Sequence, residues 1–165
     1  RDGGRYKVKI FYENMNILIY KHPFVKGCIY FVSRFCPYMI VIFYSLFLLK
    51  IYIEWESHLF YFIKNPILAV ISTIILKIIF NRKRPCQKYN IKPVDDLKRK
   101  NYSFPSIQTA CAFSIALTVL KYGPNMGLLL AALAIGITIS RVLSGVHYIS
   151  DVLVSIFIAI IINNI

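Results

Sequence analysis

Residues 35–49, FCPYMIVIFYSLFLL, run from Arg34 to Lys50 without a charge, and the apolar character continues to Ile53. A membrane-spanning helix needs about 20 mostly apolar residues, and Lys or Arg at its ends can reach back to the headgroups. The stretch therefore predicts a first span, bent near Pro37, which has no amide proton to give. Four further apolar runs follow. They are Leu59 to Phe80, carrying Lys64 and Lys77 towards its ends; Phe104 to Leu120; the residues after the turn YGPN as far as Ser140; and Val146 to Ile162. The short turn EWESH separates the first two and puts Trp55 at an interfacial position. A transmembrane β-barrel would show alternating strands of about ten residues, which these continuous runs are not.

Residues 1–26 do not qualify as a span. Arg1, Arg5, Lys7, Lys9, Lys21 and Lys26 are scattered among Ile10, Phe11, Met15, Ile17 and Leu18, the pattern of a basic amphipathic stretch on the bilayer surface. The expected architecture is all-α: a polytopic membrane helical bundle of about five spanning helices over 31–165, preceded by that surface segment. The whole of 1–165 is read as a single integral-membrane domain.

Composition agrees. Of 165 residues, 58% are apolar and 16% charged, against about 45–50% and 25% in ordinary globular domains. Mean hydropathy is +0.60. Disorder is excluded and a soluble domain disfavoured. The charge is lopsided, 20 Lys+Arg against 7 Asp+Glu, a net +13. On so apolar a chain this points to a membrane with anionic groups at its surface rather than to nucleic acid. The runs Arg82-Lys83-Arg84 and Lys98-Arg99-Lys100 stand beside spans and fit lipid headgroups. An odd number of crossings puts the loops 81–104 and 141–147 on the N-terminal side. Of the 20 basic residues, 17 lie on or towards that side, leaving Lys50, Lys64 and Lys121 nearer the other. The positive-inside rule makes the first face cytoplasmic, although a phosphate site there would gather cations for its own reasons.

Cys28, Cys36, Cys86 and Cys111 form no C-x-x-C pair, so neither zinc nor a disulfide framework is indicated. Asp95 and Asp96 are too few oxygens for a magnesium site and read as a solvated loop or a helix start. The sequence begins at Arg1, and no targeting segment is assigned to it.

Three short motifs fall on one face of the expected bundle. The second span ends KIIFNRKRP, with Lys77 seven residues before Arg84 and Pro85 next. The third opens YSFPSIQTA. The fourth and fifth meet in SRVLSGVHYISD, where Arg141 precedes His147 by six and Asp151 follows it by four. Lys77 alone reads as a snorkelling helix end, and a lone histidine as structural. A carboxylate about one turn inside a membrane helix is harder to explain without function. Residues four apart share a helix face, so Asp151 is expected to hold His147. Lys77, Arg84 and Arg141 can surround a phosphoryl group. The helix start at Ser106 adds a hydroxyl and unpaired N–H groups. His147, oriented by Asp151, is then a candidate nucleophile.

The set resembles the type-2 phosphatidic acid phosphatase family, whose pattern is K-x6-R-P, then P-S-G-H, then S-R-x5-H-x3-D. Lys77, Arg84, Pro85, Pro105, Ser106, Ser140, Arg141, His147 and Asp151 match it in type, order and internal spacing. The resemblance implies a metal-independent membrane lipid phosphatase with no cofactor, acting through a phosphohistidine on His147. Phosphate would be bound by Lys77, Arg84, Ser106 and Arg141. The wording around the motifs looks nearest to members acting on polyisoprenyl diphosphates.

One position departs. Where the family carries Gly-His, this chain has Ile107 and Gln108. That histidine is, by resemblance, the general acid, and Gln108 cannot deliver a proton. His22 and His58 have no evident route into the site. An alkoxide leaving group has a parent pKa near that of water, about 15.7. A lipid phosphate leaving from a diphosphate has a second pKa of about 6 and departs without protonation. Gln108 therefore disfavours monoesters and tolerates lipid diphosphates. It is also compatible with a catalytically impaired member that binds or translocates phospholipid headgroups.

Overall fold

A computed structural model describes residues 3–54, 59–95 and 102–165. Trp55, His58, Asp96 and the run Lys98-Arg99-Lys100 lie outside the described residues. The described chain is helical throughout its regular structure: α1 (Gly3–Lys21), α2 (Pro23–Glu54), α3 (Leu59–Phe80), α4 (Pro85–Tyr89), α5 (Ile107–Leu120), α6 (Pro124–Leu143) and α7 (Ile149–Asn164).

The five expected spans correspond to α2, α3, α5, α6 and α7, but they are not equal. Among the described residues, only α2, α6 and the stretch Leu59–Tyr89 that contains α3 have by themselves the length and apolar composition of a full span. Helices α5 and α7 have 14 and 16 residues. At 1.5 Å per residue that is roughly 21–24 Å, short of the ~30 Å hydrocarbon core. The shortfall lies at the site end. The apolar runs begin at Phe104 and Val146, but the first residues of each are spent on loops, and the helices start only at Ile107 and Ile149. The first span is longer than expected: α2 begins at Pro23, so the break from the N-terminal segment falls at His22 rather than near residues 27–30.

Helix α5 is the axis of the bundle. It packs against α3, α6 and α7, and its inward residues are mostly small: Ala110, Ala112, Ser114, Ala116 and Thr118. Between lipid-facing helices apolar burial gives little drive, so close backbone approach through small residues holds them together. Gly127 shows how close: a Cβ there would lie 2.3 Å from the Leu120 Cα. At the end away from the motifs, Asn163 ties three helices. Asn65 Nδ2 donates to its Oδ1 (3.2 Å), and its own Nδ2 donates to Ser114 Oγ (3.0 Å). The outer faces carry Val41, Ile42, Leu46, Ile71, Ile75, Leu128, Ile135 and Phe157, all exposed and apolar, as a lipid contact requires.

Helix α1 is the expected amphipathic segment, but one line of it is buried. Tyr12 and Ile19 turn inward, while Tyr6, Phe11, Ile17 and Leu18 face out. The inward line docks on the loops at the motif end. Asn16 Nδ2 donates to Lys92 O (2.9 Å), and Ile19 packs with Ile29 and Val94.

Replacing Gly127 with Ala forces α5 and α6 apart, and overpacking of this kind typically costs about 1–3 kcal/mol. Thermal unfolding in detergent should show Gly127→Ala melting several degrees below the wild type.

Candidate active site

The three motifs converge because three helix ends do. Helix α3 stops at Phe80, since Asn81 takes a left-handed conformation (φ 43°) and its N–H caps the Lys77 carbonyl. The chain turns back over the bundle, and Arg84 becomes the N-cap of α4 with Pro85 at the first helical position. Gln87 Oε1 accepts from the Arg84 N–H at 3.3 Å. Gly145, at φ +71°, turns the loop between α6 and α7, a conformation that disfavours a side chain. Its carbonyl accepts from the Cys86 N–H at 2.9 Å, which clips α4 to this loop.

His147 sits in the loop, 3% exposed. Arg84 Nη1 lies 3.2 Å from its Nε2 and also donates to Val146 O at 2.9 Å. A guanidinium cannot accept a hydrogen bond, so Nε2 holds the lone pair and Nδ1 the proton. Nδ1 faces Asp151 Oδ2 across 3.6 Å, outside hydrogen-bond distance. Burial, reinforced by the charges of Arg84 and Arg141 and opposed by Asp151, pushes the His147 pKa down from 6.5 to about 3. The imidazole is therefore neutral at ordinary pH, which is the form a nucleophile requires.

Asp151 departs from the expectation in two ways. Its spacing from His147 suggested a shared helix face, but α7 starts at Ile149 and His147 precedes the N-cap, Tyr148. The carboxylate is the third residue of α7, where the helix dipole favours a negative charge, and its Oδ2 accepts from the Tyr148 N–H at 2.9 Å. Its shortest ionic partner is also not His147. Arg82 Nη1 reaches Oδ1 at 2.8 Å, with the guanidinium 3.8 Å above the Tyr148 ring. Arg82 was read from sequence only as part of a basic run.

Arg141 is fully buried, and its Nη1 donates to Ser33 Oγ on α2 at 2.7 Å and lies 3.5 Å from Ser33 O. That carbonyl is one that Pro37, four residues on, cannot cap, so the proline expected to bend the span also exposes an acceptor. Asp95 pairs with Arg141 at 3.5 Å and is 4% exposed. The reading of Asp95 as a solvated loop residue or helix start is thereby corrected: a buried guanidinium needs a counter-charge, and the loop after α4 delivers one.

Lys77 and Ser106 stand at the same end. Lys77 Nζ donates to Pro105 O at 3.2 Å. Ser106 is the N-cap of α5, its Oγ accepting from Thr109 N–H at 3.4 Å. The Ser106 N–H donates to Ser155 Oγ (2.7 Å), which itself donates to Asp151 O (2.7 Å). Ser155 thus joins the second motif to the third, and nothing in the motif spacing marked it. Gln108 goes elsewhere. It lines an apolar hollow of about 190 Å³ with Pro37, Val70, Ile107, Cys111 and Ile137. His22 is exposed at the α1–α2 break. Tyr12, also unmarked by sequence, donates from its hydroxyl to the His147 carbonyl at 3.3 Å.

Fold and site together define an integral membrane protein of the helical-bundle class, with a buried neutral histidine between an arginine and a carboxylate at one end. The chain belongs to the PAP2 superfamily, which matches residues 58–165. It is similar to the crystal structure of Aquifex aeolicus LpxE, with 27% identity over 93% of this chain and 90% of that one, at a TM-score of 0.72. It shares its fold with the first transmembrane PAP2 type phosphatidylglycerolphosphate phosphatase from Bacillus subtilis, at 18% identity, coverage of 94% and 92%, and a TM-score of 0.55. No curated protein sequence matches the chain.

The depressed His147 pKa has a measurable sign. The unfolded histidine takes up a proton near 6.5, whereas the folded one declines it until about 3. Between those values unfolding binds a proton, so acid removes stability. Thermal unfolding followed from pH 6.5 downward should show a steeper loss for the wild type than for His147→Gln.

Proposed function

We propose that the protein is a membrane lipid phosphatase that cleaves lipid diphosphates, of which polyisoprenyl diphosphates are the type, to lipid monophosphate and phosphate. The observation that carries this reading is the clamp on His147: lone pair on Nε2 towards Arg84, proton on Nδ1 towards Asp151. The lipid phosphatase class is further supported by membership of the PAP2 superfamily and by the Bacillus subtilis neighbour, a phosphatidylglycerolphosphate phosphatase.

Lys77, Arg84 and Ser106 bind the terminal phosphoryl group, with Arg141 adding positive charge from within the bundle. Arg84 passes from Nε2 to the phosphate oxygens as substrate enters. Nε2 attacks phosphorus, the bond to the bridging oxygen breaks, and its electron pair leaves with the lipid monophosphate. Asp151 holds the Nδ1 proton in place as the ring acquires positive charge. Water then attacks the phosphohistidine, releasing phosphate and restoring the neutral ring. No proton is required by the first leaving group, which suits a chain with Gln108 at the general-acid position. Residues 1–165 act as one domain, with α1 at the bilayer surface. The charge asymmetry supports placing the site at the cytoplasmic face.

A second reading, that of an impaired member binding or translocating headgroups, is favoured by Gln108 alone. Phosphate release in EDTA from an isoprenoid diphosphate and from phosphatidate separates the two. His147→Ala should lower diphosphate turnover by about 10³-fold or more. General-acid help is typically worth about 10²–10⁴-fold, so the wild type, with Gln108 turned into an apolar hollow, should cleave the diphosphate at least about tenfold faster than phosphatidate. A wild type no faster than His147→Ala on every substrate would hand the case to the binding reading.

A further inference from the structure

Helix α1 and the start of α7 enclose a groove of about 370 Å³. Lys7, Arg82 and Ser150 make its polar end; Val8, Phe11 and Ile149 make an apolar wall. Val8, Phe11 and Ile149 are exposed, as are Tyr6 and Lys7. Arg82 belongs to both the groove and the site. Its Nη1 is 2.8 Å from Ser150 Oγ and 2.8 Å from Asp151 Oδ1, and its side chain is 39% exposed. Arg82 also lies on the Asp151 side of the imidazole. A scissile phosphorus meets Nε2, at the opposite edge of the ring, and its leaving group points farther away still. The groove is therefore not where the departing half of a substrate goes.

We propose that this groove binds the phosphodiester of an anionic bilayer phospholipid and that the bound phosphate draws Arg82 off Asp151, so that membrane charge tunes the His147–Asp151 pair. The charges are complementary: two cations and a hydroxyl face one diester charge. A guanidinium fork matches two phosphate oxygens as well as it matches a carboxylate. The apolar wall continues along a helix whose outward side chains suit the headgroup–acyl boundary, where one acyl chain lies. Anionic lipids accumulate beside such basic segments. Once Arg82 is engaged by phosphate, the full Asp151 charge acts on Nδ1, 3.6 Å away. The ring becomes more basic, and the positive charge it acquires on attacking phosphorus is better stabilised. This last consequence rests on the nucleophilic role of His147; the lipid site does not.

The test uses the full chain in nanodiscs of phosphatidylcholine with increasing phosphatidylglycerol. Two readouts are taken: phosphate release from a fixed mole fraction of isoprenoid diphosphate, and bound phosphatidylglycerol counted by native mass spectrometry under excess inorganic phosphate, which occupies the His147 site. Phosphatidylglycerol should bind and raise turnover several-fold. Lys7→Glu should weaken that binding by about fivefold or more, a figure in keeping with one surface charge. Arg82→Gln should abolish the response of turnover to phosphatidylglycerol. Lys9→Glu changes a neighbouring lysine that pairs with Glu13 at 3.6 Å and does not line the groove, so it should retain both. Equal wild-type rates in neutral and anionic discs would overturn the coupling. Phosphatidylglycerol binding that Lys7→Glu leaves intact, or that Lys9→Glu weakens equally, would overturn the site. If no disc supports turnover, the nucleophilic reading fails, and the binding series alone still upholds or rejects the groove.

Discussion

A guanidinium taken wholly out of water costs several kcal/mol unless its donors meet acceptors and its charge meets a counter-charge. Arg141 is in that position, fully buried between helices, and much of the surrounding architecture follows from it. Ser33 must come from α2, and Pro37 must leave the Ser33 carbonyl uncapped. Asp95 must be carried inward by the loop that follows α4. The loop from Ser144 to His147 winds round the same residue, because the N–H groups of Val146 and His147 both point at the Arg141 carbonyl, each at 3.3 Å. One buried cation thus fixes where α2, the loop after α4 and the histidine stand relative to each other.

The carboxylate of Asp151 is shared among duties. It caps the start of α7, pairs with Arg82, and faces the imidazole from just beyond hydrogen-bond distance. A buried aspartate with several partners is held rigidly, which suits the ring-orienting role proposed for it. The same sharing divides its charge, so His147 receives only part of it. Helix α1 covers one side of this arrangement: Tyr12 is bonded to the His147 carbonyl, stacked near Tyr89 and edge-on to Tyr148. The surface segment is therefore part of the wall of the site.

Gln108 sits on the helix that carries the second motif, beside an apolar hollow rather than among charges. A side-chain amide there can help to shape an apolar surface but cannot relay a proton. In the reaction proposed above the leaving group departs as a stable anion and needs no such relay.

The sequence by itself determined the helical membrane architecture, because long uncharged runs bounded by Lys and Arg have few other stable states. It also offered Lys77, Arg84, Ser106, Arg141, His147 and Asp151 as candidates, through internal spacings that are covalent and survive any packing. What it could not contain was partnership between residues far apart in the chain. That Arg82 would take the Asp151 carboxylate, that Ser33 would accept from Arg141 and Asp95 would pair with it, that Ser155 would bridge two motifs, and that α5 and α7 would be the shorter helices of the bundle all depend on where helices end and how they cross. Those are decided by burial and close packing in three dimensions, where each buried charge finds whichever partner the assembled bundle brings within reach.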